Sequence, residues 1–220
     1  LIHLPSIVGI TVRIEGLQDI KKKWSIIILG IAVIAAAYLY AHIDKNTYLY
    51  DRNTDSAELI GTGIPGNTEE ITQSFTSIED SIDGINLKAT VFGEADHVDV
   101  EYSLIDQESG EVVRTESVRG SEINNNHFNV LRFQPLSGTK GKRYTLRLTE
   151  SGTGDSTGVS FYLSEREGSE GLLKVKGQEI NGHLAVRILT HRFDSETFVV
   201  FLGIAAFIAG FMNILYRMFK

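Results

Sequence analysis

Two runs of the chain carry no charge. Trp24–Ala41 reads WSIIILGIAVIAAAYLYA, and Phe198–Tyr216 reads FVVFLGIAAFIAGFMNILY. A helix rises about 1.5 Å per residue, so about 20 apolar residues cover the ~30 Å hydrocarbon core of a bilayer. Both runs fall at the lower end of that range. A helix buried in a soluble core usually keeps one polar stripe, and neither run has one. The sequence therefore predicts transmembrane helices over residues 24–41 and 198–216, with the lipid bilayer as the first partner.

Charge is divided by these runs. The whole chain has 21 Lys+Arg and 28 Asp+Glu, a formal charge of −7. Residues 1–23 carry +2, residues 217–220 carry +2, and residues 42–197 carry −11. Lys21, Lys22 and Lys23 abut the first run and Arg217 abuts the second. Basic residues beside a span are retained in the cytoplasm. This predicts a cytoplasmic segment 1–23, an extracytoplasmic region 42–197, a cytoplasmic tail 217–220, and placement in a cell membrane. Trp24, Tyr38, Tyr40 and Tyr216 stand at run ends, where amphipathic rings favour the headgroup layer. A cleaved signal peptide is the competing reading of the first run, with Ala35-Ala36-Ala37 as the cleavage-like site. It changes only the number of anchors. The acidic balance excludes a nucleic-acid binder that works through overall charge. With no cysteine in the sequence, disulfides, thiolate nucleophiles and zinc–thiolate sites are excluded. Ile7, Val8, Ile10, Val12 and Ile14 predict a short strand ahead of the first span. The chain begins with Leu1, which fits a piece of a longer protein.

Residues 68–192 alternate with a period of two. Val98, Val100, Tyr102 and Leu104 share one face, as do Ile85, Leu87, Ala89 and Val91. The same holds for Tyr144, Leu146 and Leu148, for Val159, Phe161 and Leu163, and for Leu184, Val186 and Ile188. Such alternation means strands with one face buried and one wet. ITQSFTS, EVVRTESV, FNVLRFQPL and LLKVKGQEI bring the expected strands to nine. Turn signals such as Asp83-Gly84, Ser109-Gly110, Ser137-Gly138 and Asn181-Gly182 separate them. The predicted fold is an all-β antiparallel sandwich of jelly-roll type over 68–192, flanked by two transmembrane helices. Residues 42–67 read as a juxtamembrane linker and 193–197 as a short return to the second span.

The segment 68–190 resembles an extracytoplasmic β-sandwich of bacterial cell-envelope polysaccharide membrane proteins and glycosyltransferases. The resemblance lies in Gln73 and Phe75, Gly84 and Ile85, Phe133 and Pro135, and the run Ser137 to Tyr144, with Gly138-Thr139-Lys140 departing from the pattern. It implies a place at the envelope, contact with glycan, turns shaped by Pro135 and Gly141, and an inward-packing Tyr144. The catalytic parts of such glycosyltransferases lie in spans that this segment does not contain.

Candidate sites are few. Asp51, Asn53 and Asp55 form D-x-N-x-D, the opening of a calcium loop, since hard Ca²⁺ takes clustered carboxylate and amide oxygens. The EF-hand form fails, because Ser56 and Thr62 stand where it needs Gly and Glu. Calcium is thus the one cofactor to weigh, against a solvated linker. Gly61-Thr62-Gly63-Ile64-Pro65-Gly66 matches G-x-G-x-x-G by letter but lacks the strand–turn–helix setting of a dinucleotide site. Asn124, Asn125 and Asn126 precede a strand, where amides either rim a glycan site or simply form a turn. Tyr162, Phe92 and Arg187 on strand faces could stack on sugar or pair across strands. Ala32 with Ala36, and Ala206 with Gly210, place small residues at four-residue spacing for helix packing, including packing against a second copy. No G-x-S-x-G or P-loop is present. The expected function is a non-enzymatic accessory or binding module of the bacterial cell envelope, contacting glycan or another membrane protein. A fragment of a multi-span polysaccharide glycosyltransferase or transporter, and a membrane sensor, are the rival readings.

Overall fold

A computed structural model describes residues 7–165 and 172–220, without the side chains of 7–20 and 22. It divides into two compact units, one of residues 1–43 and 192–220 and one of residues 44–191.

The first unit is helical. α1 spans Ile7–Tyr40 and α2 spans Ser195–Met218. The short strand expected around Ile7–Ile14 is instead the first part of α1. Once the apolar run has nucleated a helix, each added residue gains a hydrogen bond without a new nucleus, which overrides the β-branched residues there. Asp194 caps α2 by accepting from the backbone N–H of Glu196 and Thr197 at 3.0 and 3.1 Å, and its own N–H donates to the Ala41 carbonyl at 2.8 Å. One carboxylate and one amide thus satisfy backbone groups at two helix ends. Ala37 and Ala41 are fully buried, and Tyr40 meets Phe201 at 5.6 Å between ring centres. Ala32, Ala36, Ala206 and Gly210 are exposed.

The second unit is built of two sheets. Among the described residues the strands are β1 His42–Tyr48, β2 Ile60–Gly61, β3 Glu70–Thr76, β4 Ser81–Phe92, β5 Asp99–Asp106, β6 Val112–Arg119, β7 His127–Ser137, β8 Arg143–Ser151, β9 Gly158–Glu165, β10 Leu173–Val175, β11 Gln178–Ile180, β12 Gly182–Leu184 and β13 Val186–Phe193. One sheet runs β1-β13-β4-β9-β12, with β2 on β9 and β7 on β4; the other runs β11-β10-β3-β8-β5-β6. The registered pairs are antiparallel, for example Phe75 opposite Tyr144 and Ile85 opposite Leu131. The inward faces share one apolar core that includes Ile71, Leu104, Leu146 and Leu148 from one sheet and Ile85, Leu87, Phe161 and Val186 from the other. Sandwich-like packing follows from that shared core.

Residues 42–67, read as a linker, contribute β1 and β2 to the sheet. Asp44 holds β1 in place: it accepts from Arg132 on β7 at 2.6 Å and meets His191 Nδ1 on β13 at 2.8 Å. Pro135, expected to shape a turn, lies within β7 beside the register shift at Ile82/Gly84, where a missing N–H is tolerated. Gly141 does sit in a turn, at φ +79°, and Tyr144 is 2 % exposed and inward-facing.

Gly152 follows β8 at φ +74°, and a Cβ there would collide with the His97 carbonyl. Because L residues avoid this φ and backbone is not free to move, Gly152→Ala is expected to lower stability by about 2 kcal/mol, read by denaturant unfolding.

Candidate functional site

The residues singled out in the sequence do not converge. Asp51 Oδ1 accepts from the Asn53 N–H at 2.9 Å, and Asp55 Oδ1 accepts from the Ala57 N–H at 3.0 Å. These oxygens close local turns, as short Asx side chains do. Among the described residues no group of three His, Asp or Glu side chains could hold a metal ion. Gly61 belongs to β2, and Thr62 continues that pairing by donating to the Phe161 carbonyl at 2.8 Å, so the glycine-rich stretch is an edge strand and turn.

Asn124, Asn125 and Asn126 form the turn before β7. Asn125 Oδ1 accepts from the Val91 N–H at 3.0 Å and from the Thr90 hydroxyl, and Asn126 takes φ +56°. Asn129, half a turn on, closes the loop by bonding the Asn124 N–H and carbonyl at 2.7 and 3.1 Å. The turn reading thus accounts for Asn125 and Asn126.

Arg187 and Tyr162 share the outer face of the first sheet, in a small cluster with Tyr48, Tyr50, Phe128 and Leu59. The Arg187 guanidinium lies 3.7 Å from the Phe128 ring centre and 4.6 Å from that of Tyr48, and it donates to the Tyr50 hydroxyl at 3.4 Å. Lys88 Nζ sits 4.8 Å from the Tyr162 ring centre. The rings of Phe128, Tyr48 and Tyr162 thus each meet a cation of the protein itself.

Two clefts open elsewhere. One, of about 470 Å³, is lined by Asp99, Glu101, Ser117, Thr149 and Ser151, side chains of the acidic exposed strands, together with Glu150. Glu150 itself follows the inward register of Tyr144, Leu146 and Leu148 and is 3 % exposed. Its Oε2 accepts from the Val159 N–H at 3.2 Å, while Oε1 has no partner. Burial pushes this carboxyl up to about 7, with the Val159 N–H pulling the other way.

The other cleft, of about 390 Å³, has a different character. Its apolar lining is Leu49, Phe75 and Leu172; its polar lining includes Ser74, Thr76, Gln107, Arg143 and His183. Among the described residues no carboxylate lines it. β8 places Arg143 opposite Thr76 of β3, and the Gln107 N–H donates to the Arg143 carbonyl at 3.0 Å, so three polar residues stand side by side. Gln107 is clamped: its Nε2 donates to the Ser74 hydroxyl at 2.8 Å and to the Thr145 hydroxyl at 2.9 Å. Beneath, Gln73 is 1 % exposed and lies 3.4 Å from His183 Nδ1. The volume lies within the roughly 300–1,000 Å³ of small-molecule sites. Sequence reasoning missed this cleft. Arg143, Gln107 and His183 are 76 residues apart at the extremes, and no motif links them.

No protein-family model matches the chain, and no curated protein matches it.

Proposed function

We propose that the chain is a two-pass membrane protein whose helices hold a sandwich-like binding module outside the cytoplasm, with both termini cytoplasmic. The module acts without catalysis in the bacterial cell envelope, contacting glycan or a membrane partner. The observation that carries this reading is the surface of the two helices. Leu29 is 65 % exposed, Phe207 is 72 % exposed, and no residue of α2 is buried. Twenty-odd residues of hydrocarbon surface facing water would be unfavourable by about 25 cal/mol per Å², and a bilayer removes that penalty. The basic flanks Lys21–Lys23 and Arg217 support the orientation. The acidic, charge-rich 42–197 region suits an aqueous compartment.

Flotation of the expressed chain on a density gradient, followed by protease added to intact cells, tests this. The chain should float with membranes, and the sheet domain should be cut from outside. A chain that stays soluble after ultracentrifugation removes the reading. Ala206→Arg, near the middle of α2, should disfavour insertion of that helix by about 2.5 kcal/mol, read as a smaller two-pass fraction in a glycosylation-mapping assay.

A further inference from the structure

We propose that the cleft at Arg143 binds a small hydroxylated carboxylate, a sugar acid being the type. This inference rests on the binding-module part of the reading above and adds the ligand class.

The cation comes first. The Arg143 guanidinium makes no ion pair or hydrogen bond among the described residues, whereas Arg114, Arg132, Arg147 and Arg187 each donate to a protein acceptor. Asp106, opposite Tyr144 across β5 and β8, is engaged in its own turn, accepting from the Glu108 N–H at 2.8 Å and the Ser109 N–H at 3.3 Å. A guanidinium with no partner among the described residues, in a concavity whose described lining holds no carboxylate, stands out in a region of net charge −11. Its planar fork matches a carboxylate in two-point contact. The surrounding negative charge disfavours anions elsewhere on the surface, so an anion held here is held by Arg143.

The neighbours define the rest of the ligand. Both N–H groups of the Gln107 amide are donated within the protein, which leaves its carbonyl oxygen as an acceptor with no partner among the described residues. A fixed acceptor of this kind takes a hydroxyl or N–H from the ligand, and the clamp means little side-chain entropy is lost on binding. The Thr76 hydroxyl beside Arg143 makes no hydrogen bond among the described residues and adds a second hydroxyl partner. Leu49, Phe75 and Leu172 offer an apolar wall for the carbon skeleton. A carboxylate, flanking hydroxyls and an apolar face in about 390 Å³ describe a single ring or a short oligomer of sugar-acid type.

The full chain in phosphatidylcholine nanodiscs, titrated with glucuronate by calorimetry, tests the proposal. Saturable binding is expected, with no binding of glucose, which lacks the carboxylate. Arg143→Gln should weaken glucuronate binding about tenfold or more, and Gln107→Leu should weaken it measurably. Arg147→Gln, on the same strand, should leave it unchanged. Equal response to glucuronate and inorganic phosphate, or to glucuronate and glucose, overturns the ligand class. Loss in Arg147→Gln as well as Arg143→Gln overturns the site, as does absence of any binding. Flotation of the same preparation reports the anchor separately, so a failed titration with a floating chain sinks this inference and leaves the membrane reading standing.

Discussion

Replacing Gln73 by Leu is expected to lower the stability of the sheet domain by about 3 kcal/mol, although the side chain is buried and the substitution is apolar. Gln73 is 1 % exposed on β3 and works as a cross-link between sheets. Its Oε1 accepts from the Leu184 N–H on β12 at 2.9 Å, and its Nε2 donates to the Ser74 carbonyl at 3.0 Å and the Leu172 carbonyl at 3.4 Å. Leu leaves the buried Leu184 N–H without its acceptor, and an orphaned buried group costs about 1–3 kcal/mol; the Ser74 carbonyl also loses a donor, while the Leu172 carbonyl keeps the Ser74 N–H at 2.7 Å. The apolar gain of Leu offsets part of that. For a domain near 150 residues, 3 kcal/mol corresponds to a fall of roughly 10 °C in Tm. Gln73→Glu should be worse at neutral pH, because a carboxylate oxygen would replace the donor that faces two carbonyls. Denaturant unfolding of both variants checks this. A Leu variant as stable as the parent would show that the cross-link contributes nothing and that the inter-sheet apolar core alone sets stability.

The position of Gln73 was legible and its partners were not. Alternation in ITQSFTS puts Ile71, Gln73 and Phe75 on one face, and all three are buried. The same period found Val98, Val100, Tyr102 and Leu104, every one inward. A period of two survives because burying one face of a strand demands it. What the period cannot convey is which strand lies across the core, and the Leu184 amide is 111 residues away. The strand LLKVKGQEI illustrates a second kind of miss. It splits into β10 and β11 at Lys176 and Gly177, both at positive φ, +53° and +75°. That pair makes the tight hairpin geometry usually given to Asn-Gly, so Lys at the first position hides the turn. β1 was missed because HIDKNTY has no clean alternation; it becomes a strand through its neighbour β13 and the Asp44 contacts.

The candidate site was less legible than the fold for a related reason. Asn124–Asn126, Tyr162 and Arg187 were chosen by residue type, and the structure shows their polar atoms and rings largely engaged by near neighbours. Arg143 was unremarkable by type and is distinguished by its place beside Thr76 and Gln107 at one cleft. That juxtaposition is a property of three-dimensional surroundings, so no spacing rule reports it. Of the helices, the two uncharged stretches were legible, while the extension of α1 back to Ile7 was not, because its β-branched residues read as a strand.

Glu150→Gln is expected to stabilise the sheet domain at alkaline pH and to leave it nearly unchanged at mildly acidic pH. The carboxyl of Glu150 is pushed from 4.5 up to about 7 by burial. Between those values the folded state binds the proton more tightly than the unfolded state does. Stability therefore falls as pH rises through this window and stops falling above about 7. Two and a half pKa units correspond to a loss of about 3 kcal/mol once ionisation is complete. The Gln side chain keeps an acceptor for the Val159 N–H and carries no charge, so it removes the slope without opening a cavity. At pH 8 the variant should exceed the parent by about 3 kcal/mol, and at pH 5 the two should agree within about 1 kcal/mol. Asp44 acts in the opposite direction on a separate part of the scale. Its carboxyl is held below 3.8 chiefly by the hydrogen bond from Arg132, then by His191. That contribution is present above the unfolded value and is lost only as pH falls below it, so it does not enter the window of Glu150. The parent should thus be most stable between about pH 4 and 5 and lose stability toward pH 8. Trp24 is the one tryptophan and lies in α1, so the measurement should follow the sheet directly, by hydrogen exchange at the Val159 amide across pH. A parent whose protection is flat from pH 5 to 8, after correction for intrinsic exchange, would show that Glu150 is solvated and ionises as an ordinary carboxylate.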